Sequence, residues 1–209
     1  MSILHTFTVD VSTLSLLKKL QAIPLFSKMR LVGGTALALQ LGHRNSVDLD
    51  FFGTMNFTKE ALEHELQKNG LKTSVRSESE MIKITQIENV KVDFVDYSSV
   101  IWLEQAVVSD GLCLARLKDI GAMKISAITG RGTKKDFIDL FFLLQHFSLE
   151  QLLDFYKQKY DTTSIFHVIR SLTYFEDAEE DPLPKMYLPF EWNQAKQTIK
   201  QAVATCSLV

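Results

Sequence analysis

Hydrophobic positions along the chain recur at two different spacings, and the changes of spacing mark out its elements. In Thr13 to Ser27, Leu14, Leu17, Leu20 and Ile23 share one helical face before Pro24 disturbs the end. Lys28 to Val32 predicts a short strand stopped by Gly33-Gly34; Thr35 then caps or opens a helix of good helix formers that Gly42 ends. The spacing next falls to two. Val47 to Phe52, VDLDFF, alternates polar and apolar residues and predicts a strand with one core face and one polar face. An amphipathic helix is predicted over Asn56 to Asn69, with Leu62 and Leu66 on one side and Gly70 as its stop. Strands follow over Leu71 to Ser77, Met81 to Ile87 and Val90 to Tyr97, separated by the turns Glu78-Ser79-Glu80 and Glu88-Asn89.

Near Val100 the helical spacing returns. Helices are predicted over Arg116 to Thr129, Lys134 to Gln145, Leu149 to Tyr160, Ile165 to Phe175 and Glu191 to Thr205, while Ile101 to Gln105 is too short to assign. Asp181 to Pro189 holds Pro182, Pro184 and Pro189 and predicts a crossing rather than a helix. The pattern describes an α+β chain: a mixed β-sheet with flanking helices over residues 1–99, then a mostly helical region over residues 100–209.

Composition narrows this picture only a little. At 209 residues and 46% hydrophobic content the chain has ample material for a core and is too apolar for disorder. A formal net charge of -2 gives no global field for nucleic acid, though it leaves room for a local basic patch. Cys113 and Cys206 lie too far apart for a CxxC unit or a metal cluster, and the first twenty residues, with Asp10, Lys18 and Lys19, do not read as a signal peptide. With no long uncharged apolar run, no membrane span is expected and a reduced cytoplasmic setting fits best.

The chemistry concentrates between Leu31 and Gly53. Asp48 and Asp50 flank Leu49, so a strand points both carboxylates to one side, where their repulsion makes a bound cation such as Mg²⁺ a natural partner. Gly33 and Gly34 let backbone approach a ligand closely, and the helix after them offers free N–H groups to a triphosphate. Arg44 and Ser46 add a guanidinium and a hydroxyl to the same anion, although no GxxxxGK phosphate loop exists here. Asp93, flanked by Val92 and Phe94, is the best third acid, and Asp96 falls on the opposite face unless a bulge intervenes. Alone, a paired glycine is more often a turn and an Asp-Leu-Asp triplet more often a solvated edge. Their conjunction in one strand–glycine–helix–strand segment, with Asp93 on a later strand, reverses that balance.

The helical half has its own polar group. Lys124, Arg131, Lys134 and Lys135 precede or open the helix that carries Asp136 and Asp139, and Gly130 and Gly132 bracket Arg131. In the plainer reading the acids stabilise a helix start and the lysines solvate a loop. In the sharper one Lys124 contacts a phosphate across a cleft, and Asp136 or Asp139 orients a base or Lys124 itself. His43, His64, His146 and His167 have no close metal-ligand spacing; His43 adjoins the acids and reads as structural or catalytic.

Gly33-Gly34-Thr35, Gly42-His43-Arg44-Asn45-Ser46 and Asp48-Leu49-Asp50, with Asp93, Met123-Lys124, Arg131 and Lys135 to Leu140, resemble the nucleotidyltransferase superfamily. The closer resemblance is to the AbiEii/AbiGii-type toxin nucleotidyltransferases of abortive-infection and toxin–antitoxin systems, over roughly residues 28–145. That resemblance implies a nucleotidyltransferase-like mixed sheet and a nucleotide cleft completed by the helical region. It implies that Asp48, Asp50 and Asp93 are the catalytic acids binding Mg²⁺, and that Gly33, Gly34, Thr35 and Ser46 hold the triphosphate of an NTP. Lys124 is its lysine of the helical half, and Asp136 is the acid of its arginine-aspartate motif, where Lys135 replaces the usual arginine. The expected reaction is Mg²⁺-dependent transfer of a nucleoside monophosphate with release of pyrophosphate, with a tRNA end as acceptor and an antitoxin protein as partner. A protein side chain or an aminoglycoside-like small molecule stands as the alternative acceptor, and a non-catalytic subunit of a toxin complex as the alternative class.

Overall fold

The computed structural model describes residues 3–207. Helix α1 (Val11–Ala22) buries Leu16, Leu17 and Leu20, and Pro24 turns the chain into a single 3-10 turn, Pro24–Phe26. Strand β1 (Met29–Val32) leads through the paired glycines into α2 (Gly33–Leu41), which Gly42 closes in a left-handed conformation (φ 71°). Strand β2 (Leu49–Gly53) returns antiparallel to β1, pairing Asp50 with Val32. Helix α3 (Lys59–Lys68) starts at Thr58, whose hydroxyl accepts from Ala61 N, and buries Leu62 and Leu66 as the amphipathic pattern requires. The meander β3 (Thr73–Glu78), β4 (Ile82–Ile87) and β5 (Val90–Asp96) comes next; its second turn places Glu88 and Asn89 both at positive φ, the mirror-type turn that matches strand twist.

The change of character expected near Val100 falls in an irregular stretch, after which the chain returns to the sheet once more. Strands β6 (Val107–Ser109) and β7 (Leu112–Leu114) form a hairpin around Asp110-Gly111 and dock on β1 through the parallel pair Leu31 and Leu114. The hydrophobic spacing does not predict this hairpin. The sheet therefore has seven strands in the order β3-β4-β5-β2-β1-β7-β6. Helices α4 (Leu117–Gly130), α5 (Lys134–Leu143) and α6 (Leu149–Tyr160) then pack together. The predicted Ile165 to Phe175 helix is two pieces, α7 (Phe166–Leu172) and α8 (Glu176–Glu179), and α9 (Trp192–Thr205) closes the chain. The mixed sheet with flanking helices followed by a helical region is thus the observed architecture.

Packing fixes the acids on the sheet and joins the sheet to the helical region. On β2, Leu49 and Phe51 are fully buried while Asp50 and Phe52 face the other way; Phe51 stacks on Phe94 of β5, which stacks on Phe26. One face of β2 and β5 is therefore clamped by an aromatic core, which fixes the register of the acids on the opposite face. Helix α4 is the hub of the helical region, touching α2, α5, α6 and α7, so it ties the glycine-led helix to the later half. No helix among the described residues is long and apolar enough to cross a membrane.

Candidate active site

Parallel pairing of β2 with β5 sets Asp50 directly beside Asp93, and Asp48 lies just before β2 on the same alternation. Three acids separated by up to 45 positions in sequence are thus carried on or just before two neighbouring central strands. The Asp50 carboxyl is pushed up to about 6, first by burial and then by the Asp93 carboxylate, with Asp48 adding and Lys91 and Lys124 opposing. Asp93 has an ammonium beside it: Lys91, two residues earlier on the same face, reaches Asp93 Oδ2 at 2.5 Å. Asp93 Oδ1 is buried without a hydrogen-bond partner.

Gly33 and Gly34 stand against these acids for steric reasons. Gly33 has φ 67°, and a Cβ there would run into Asp50 Oδ2; a Cβ on Gly34 would run into an Arg44 guanidinium nitrogen. The glycines form the first turn of α2 rather than a loop before it, correcting the expectation that Thr35 opens the helix. Val32 occupies the cap position with no side-chain cap, so no side chain competes there for the first-turn N–H groups. Thr35 instead points its hydroxyl across to the acidic segment, donating to the Asp48 carbonyl and sharing a 2.8 Å hydrogen bond with the Ser46 hydroxyl. It fixes the entry of β2 relative to α2.

Gly34, Thr35, Arg44, Ser46, Asp48 and Asp50 line a cavity of about 450 Å³, whose other wall carries Lys124, Arg131, Thr133, Lys135 and Asp136. Gly33 and Asp93 do not line it but adjoin Asp50, which does. Lys124 is almost wholly buried, with Nζ 2.6 Å from Asp139 Oδ2 and 3.0 Å from Asp136 Oδ1. Both partners hold its pKa above the ordinary value against a burial effect that alone would lower it. Asp136 also accepts from the Thr133 hydroxyl at 2.7 Å and from Arg131 Nε at 3.2 Å. Asp136 therefore orients Lys124, and Thr133, absent from the predicted set, completes its grip.

Asp139 is fully buried at the junction of the two halves. Arg44 donates to it twice, Nε to Oδ1 at 2.7 Å and Nη2 to Oδ2 at 2.8 Å, and His43 Nε2 lies 2.8 Å from Oδ1. Burial opposes its ionisation, but Arg44, Lys124 and the His43 hydrogen bond hold it well below the usual carboxylate range. Arg44 is therefore mainly a brace. It lines the cleft, yet Asp139 and the Asn45 carbonyl occupy three of its five N–H donors. His43 is wholly buried against Phe142, its pKa lowered chiefly by burial, so the structural reading of this histidine is the one observed.

Residues Asp181 to Lys185 roof the cavity, although no motif in the sequence marks them for that role. Arg44 pairs with Met186 in an antiparallel bridge, and Asn45 N donates to the Lys185 carbonyl at 2.9 Å. Lys134 fastens the other end: Nζ donates to the Glu179 carbonyl at 2.8 Å and to the Asp181 carbonyl, and its backbone N–H donates to Asp181 Oδ2 at 2.9 Å. Lys134 is thus a buried anchor, which corrects its plainer reading as a solvating loop lysine.

Among the described residues no group of three or more His, Cys, Asp or Glu side chains is already gathered as a metal cage. The donors present nonetheless suit a hard cation. They are carboxylate oxygens only, one carboxyl is pushed up to about 6 by burial and an acid neighbour, and another acid keeps a buried, unpartnered oxygen.

Comparison with known proteins shows the family and the fold. Residues 15–205 match the family described as nucleotidyl transferase AbiEii toxin, type IV TA system. An uncharacterized protein of Aquifex aeolicus (strain VF5) is 31% identical over 195 residues, covering 90% of this chain and 92% of its own length. In fold, the crystal structure of JHP933 from Helicobacter pylori is similar with a TM-score of 0.58 at 18% identity, covering 94% of this chain and 92% of that one. A second H. pylori chain, provisionally named a nucleotidyltransferase, gives a TM-score of 0.60 at 18% identity over 93% of this chain and 94% of its own.

Proposed function

The chain belongs to the AbiEii nucleotidyl transferase toxin family, and on that premise we propose that it moves a nucleoside monophosphate from an NTP to an acceptor hydroxyl. The observation that carries this reading is the cavity in which Asp48 and Asp50 face Gly34, Ser46 and Lys124. First-turn N–H groups of α2 and the Ser46 hydroxyl hold the triphosphate, with the Arg44 and Lys124 charges on either side. Asp48 and Asp50, with Asp93 as third acid, would hold Mg²⁺, which would supply charge neutralisation and alignment of the phosphates. The acceptor oxygen bonds to the α-phosphorus as the bond to the departing pyrophosphate breaks, and its proton passes to the Asp93 carboxylate. Asp136 positions Lys124 without touching the reacting atoms itself.

For the acceptor we assign the end of a tRNA, in a type IV-like toxin–antitoxin or abortive-infection setting with an antitoxin protein as partner. Arg131, Lys135 and Lys185 are on the cavity wall and supply a local positive rim despite the net charge of -2. The test is incubation of the protein with each α-labelled NTP, Mg²⁺ and total cellular RNA, protein or aminoglycoside. Label on tRNA is the expected result. Label on protein or drug reassigns the acceptor, and no transfer together with no nucleotide-dependent Mg²⁺ binding overturns the enzymatic reading.

A further inference from the structure

Nine of the eighteen residues that line the cavity are charged, and two large apolar side chains remain uncovered among the rest. Val47 is 43% exposed and Leu183 is 55% exposed, and Leu183 stands between Pro182 and Pro184. Both line the same cavity, on two segments that the Arg44 and Met186 bridge and the Asn45 N to Lys185 carbonyl hydrogen bond hold together. The prolines stiffen the roof and withhold their N–H groups, so this ledge offers flat apolar contact with few donors for reading a base edge. It adjoins the triphosphate cradle at Ser46 and Asp48 in one segment and lies within the same 450 Å³ cavity. An apolar ledge beside a polyanion cradle matches one part of an NTP only.

We propose that Val47 and Leu183 form the nucleobase ledge of this cleft, on which the base of the incoming NTP lies flat while its phosphates reach Gly34 and Ser46. The proposal rests on the nucleotidyl-transfer reading above and goes beyond it in assigning how the base is chosen. Selection follows the apolar area that a base covers rather than its hydrogen-bond pattern, so purine nucleotides bind more tightly than pyrimidine nucleotides and both purines bind alike. The Asp181 to Lys185 roof is then a specificity element, which explains why it is bolted at both ends by Asn45 and by Lys134.

The test compares the full chain with Leu183→Ala, titrating ATP, GTP, CTP, UTP and inorganic tripolyphosphate, each with Mg²⁺. Leu183 is exposed, so the variant is expected to fold; its melting curve checks this. The expected result is about a tenfold loss of affinity for ATP and GTP, a smaller loss for CTP and UTP, and tripolyphosphate binding within about twofold of the unaltered chain. Leu183→Trp, with a larger flat surface, is expected to tighten the NTPs and leave tripolyphosphate alone. Equal losses for tripolyphosphate and the NTPs, or no loss for either, overturn the ledge while leaving nucleotidyl transfer intact. If the unaltered chain binds neither NTP nor tripolyphosphate, nucleotidyl transfer itself fails.

Discussion

Two pairs of aspartates, each close in sequence and opposite in fate, divide this molecule. Asp48 and Asp50 sit at strand spacing in the middle of the sheet beside Asp93, and among the described residues the only cation bonded to any of the three is the Lys91 ammonium on Asp93. Asp136 and Asp139 sit one helical turn apart on α5 and are surrounded by Lys124, Arg44, Arg131 and His43. Burial penalises both groups. Where cations answer it, Asp139 is held well below its ordinary pKa; where another acid stands alongside instead, Asp50 is pushed up to about 6. Compensated charge makes a brace between the halves, and uncompensated charge marks the place to which the proposed function assigns a cation and a polyanion.

The sharpest break in this contrast is Asp50→Asn. Transfer is expected to fall by about 10³-fold or more in single-turnover label transfer, the scale on which loss of one charge-organising group acts. Asp139→Ala tests the other pair. It strands Arg44 as a buried charge, leaves Lys124 with Asp136 alone, and is expected to cost about 3–5 kcal/mol in urea unfolding. A surface-like loss below about 1 kcal/mol would remove the distinction between brace and site.

Gly33→Ala falls between the two. It asks a residue with a Cβ to take φ 67° and to press on Asp50 Oδ2, so a loss of about 1–3 kcal/mol in stability is expected, with transfer falling further than stability alone explains.

The pH dependence separates the pairs by sign. Asp50 is raised, so its ionisation works against the fold: stability falls as pH rises from its ordinary 3.8 through about 6, and that loss is complete above 6. Asp139 is depressed, so its contribution is full above its ordinary value of 3.8 and is lost only as pH falls through its lower folded value. Cation affinity should weaken about tenfold per pH unit below 6, measured by Mn²⁺ titration between about pH 4.5 and 7.5. The smallest effect is expected from Lys91→Met. Removing the half-exposed ammonium from Asp93 leaves more uncompensated charge at the three acids, so Mn²⁺ should bind a few-fold more tightly.

The two regions were also unequally legible in the sequence. The acid group follows from local rules: period two on VDLDFF and on Val92-Asp93-Phe94 puts the carboxylates away from the core, and the paired glycine marks close approach of backbone. Lys91 was open to the same counting, two residues before Asp93 on its face. The brace depends on partners such as Arg44 and Asp139, 95 residues apart, which no periodicity connects. Lys124 and Asp136 were legible through family resemblance, whereas Thr133 and the Asp181 to Lys185 roof carried no motif. Strands β6 and β7 escaped because each is only three residues long and gains its place through Leu31; the Asp110-Gly111 pair, both at positive φ, was the turn signal that marks them.

Thermal melting at about pH 8 with increasing Mg²⁺ and ATP, run on the unaltered chain and on Asp50→Asn, tests the division most directly. Without additions Asp50→Asn is expected to melt a few degrees higher, because an uncompensated buried charge has been removed. With Mg²⁺ and ATP the unaltered chain should gain stability in proportion to ligand, while Asp50→Asn gains little or nothing. Equal gains in both proteins, or an Asp50→Asn protein that melts lower than the unaltered chain in the absence of ligand, would show that these carboxylates are not the cation site.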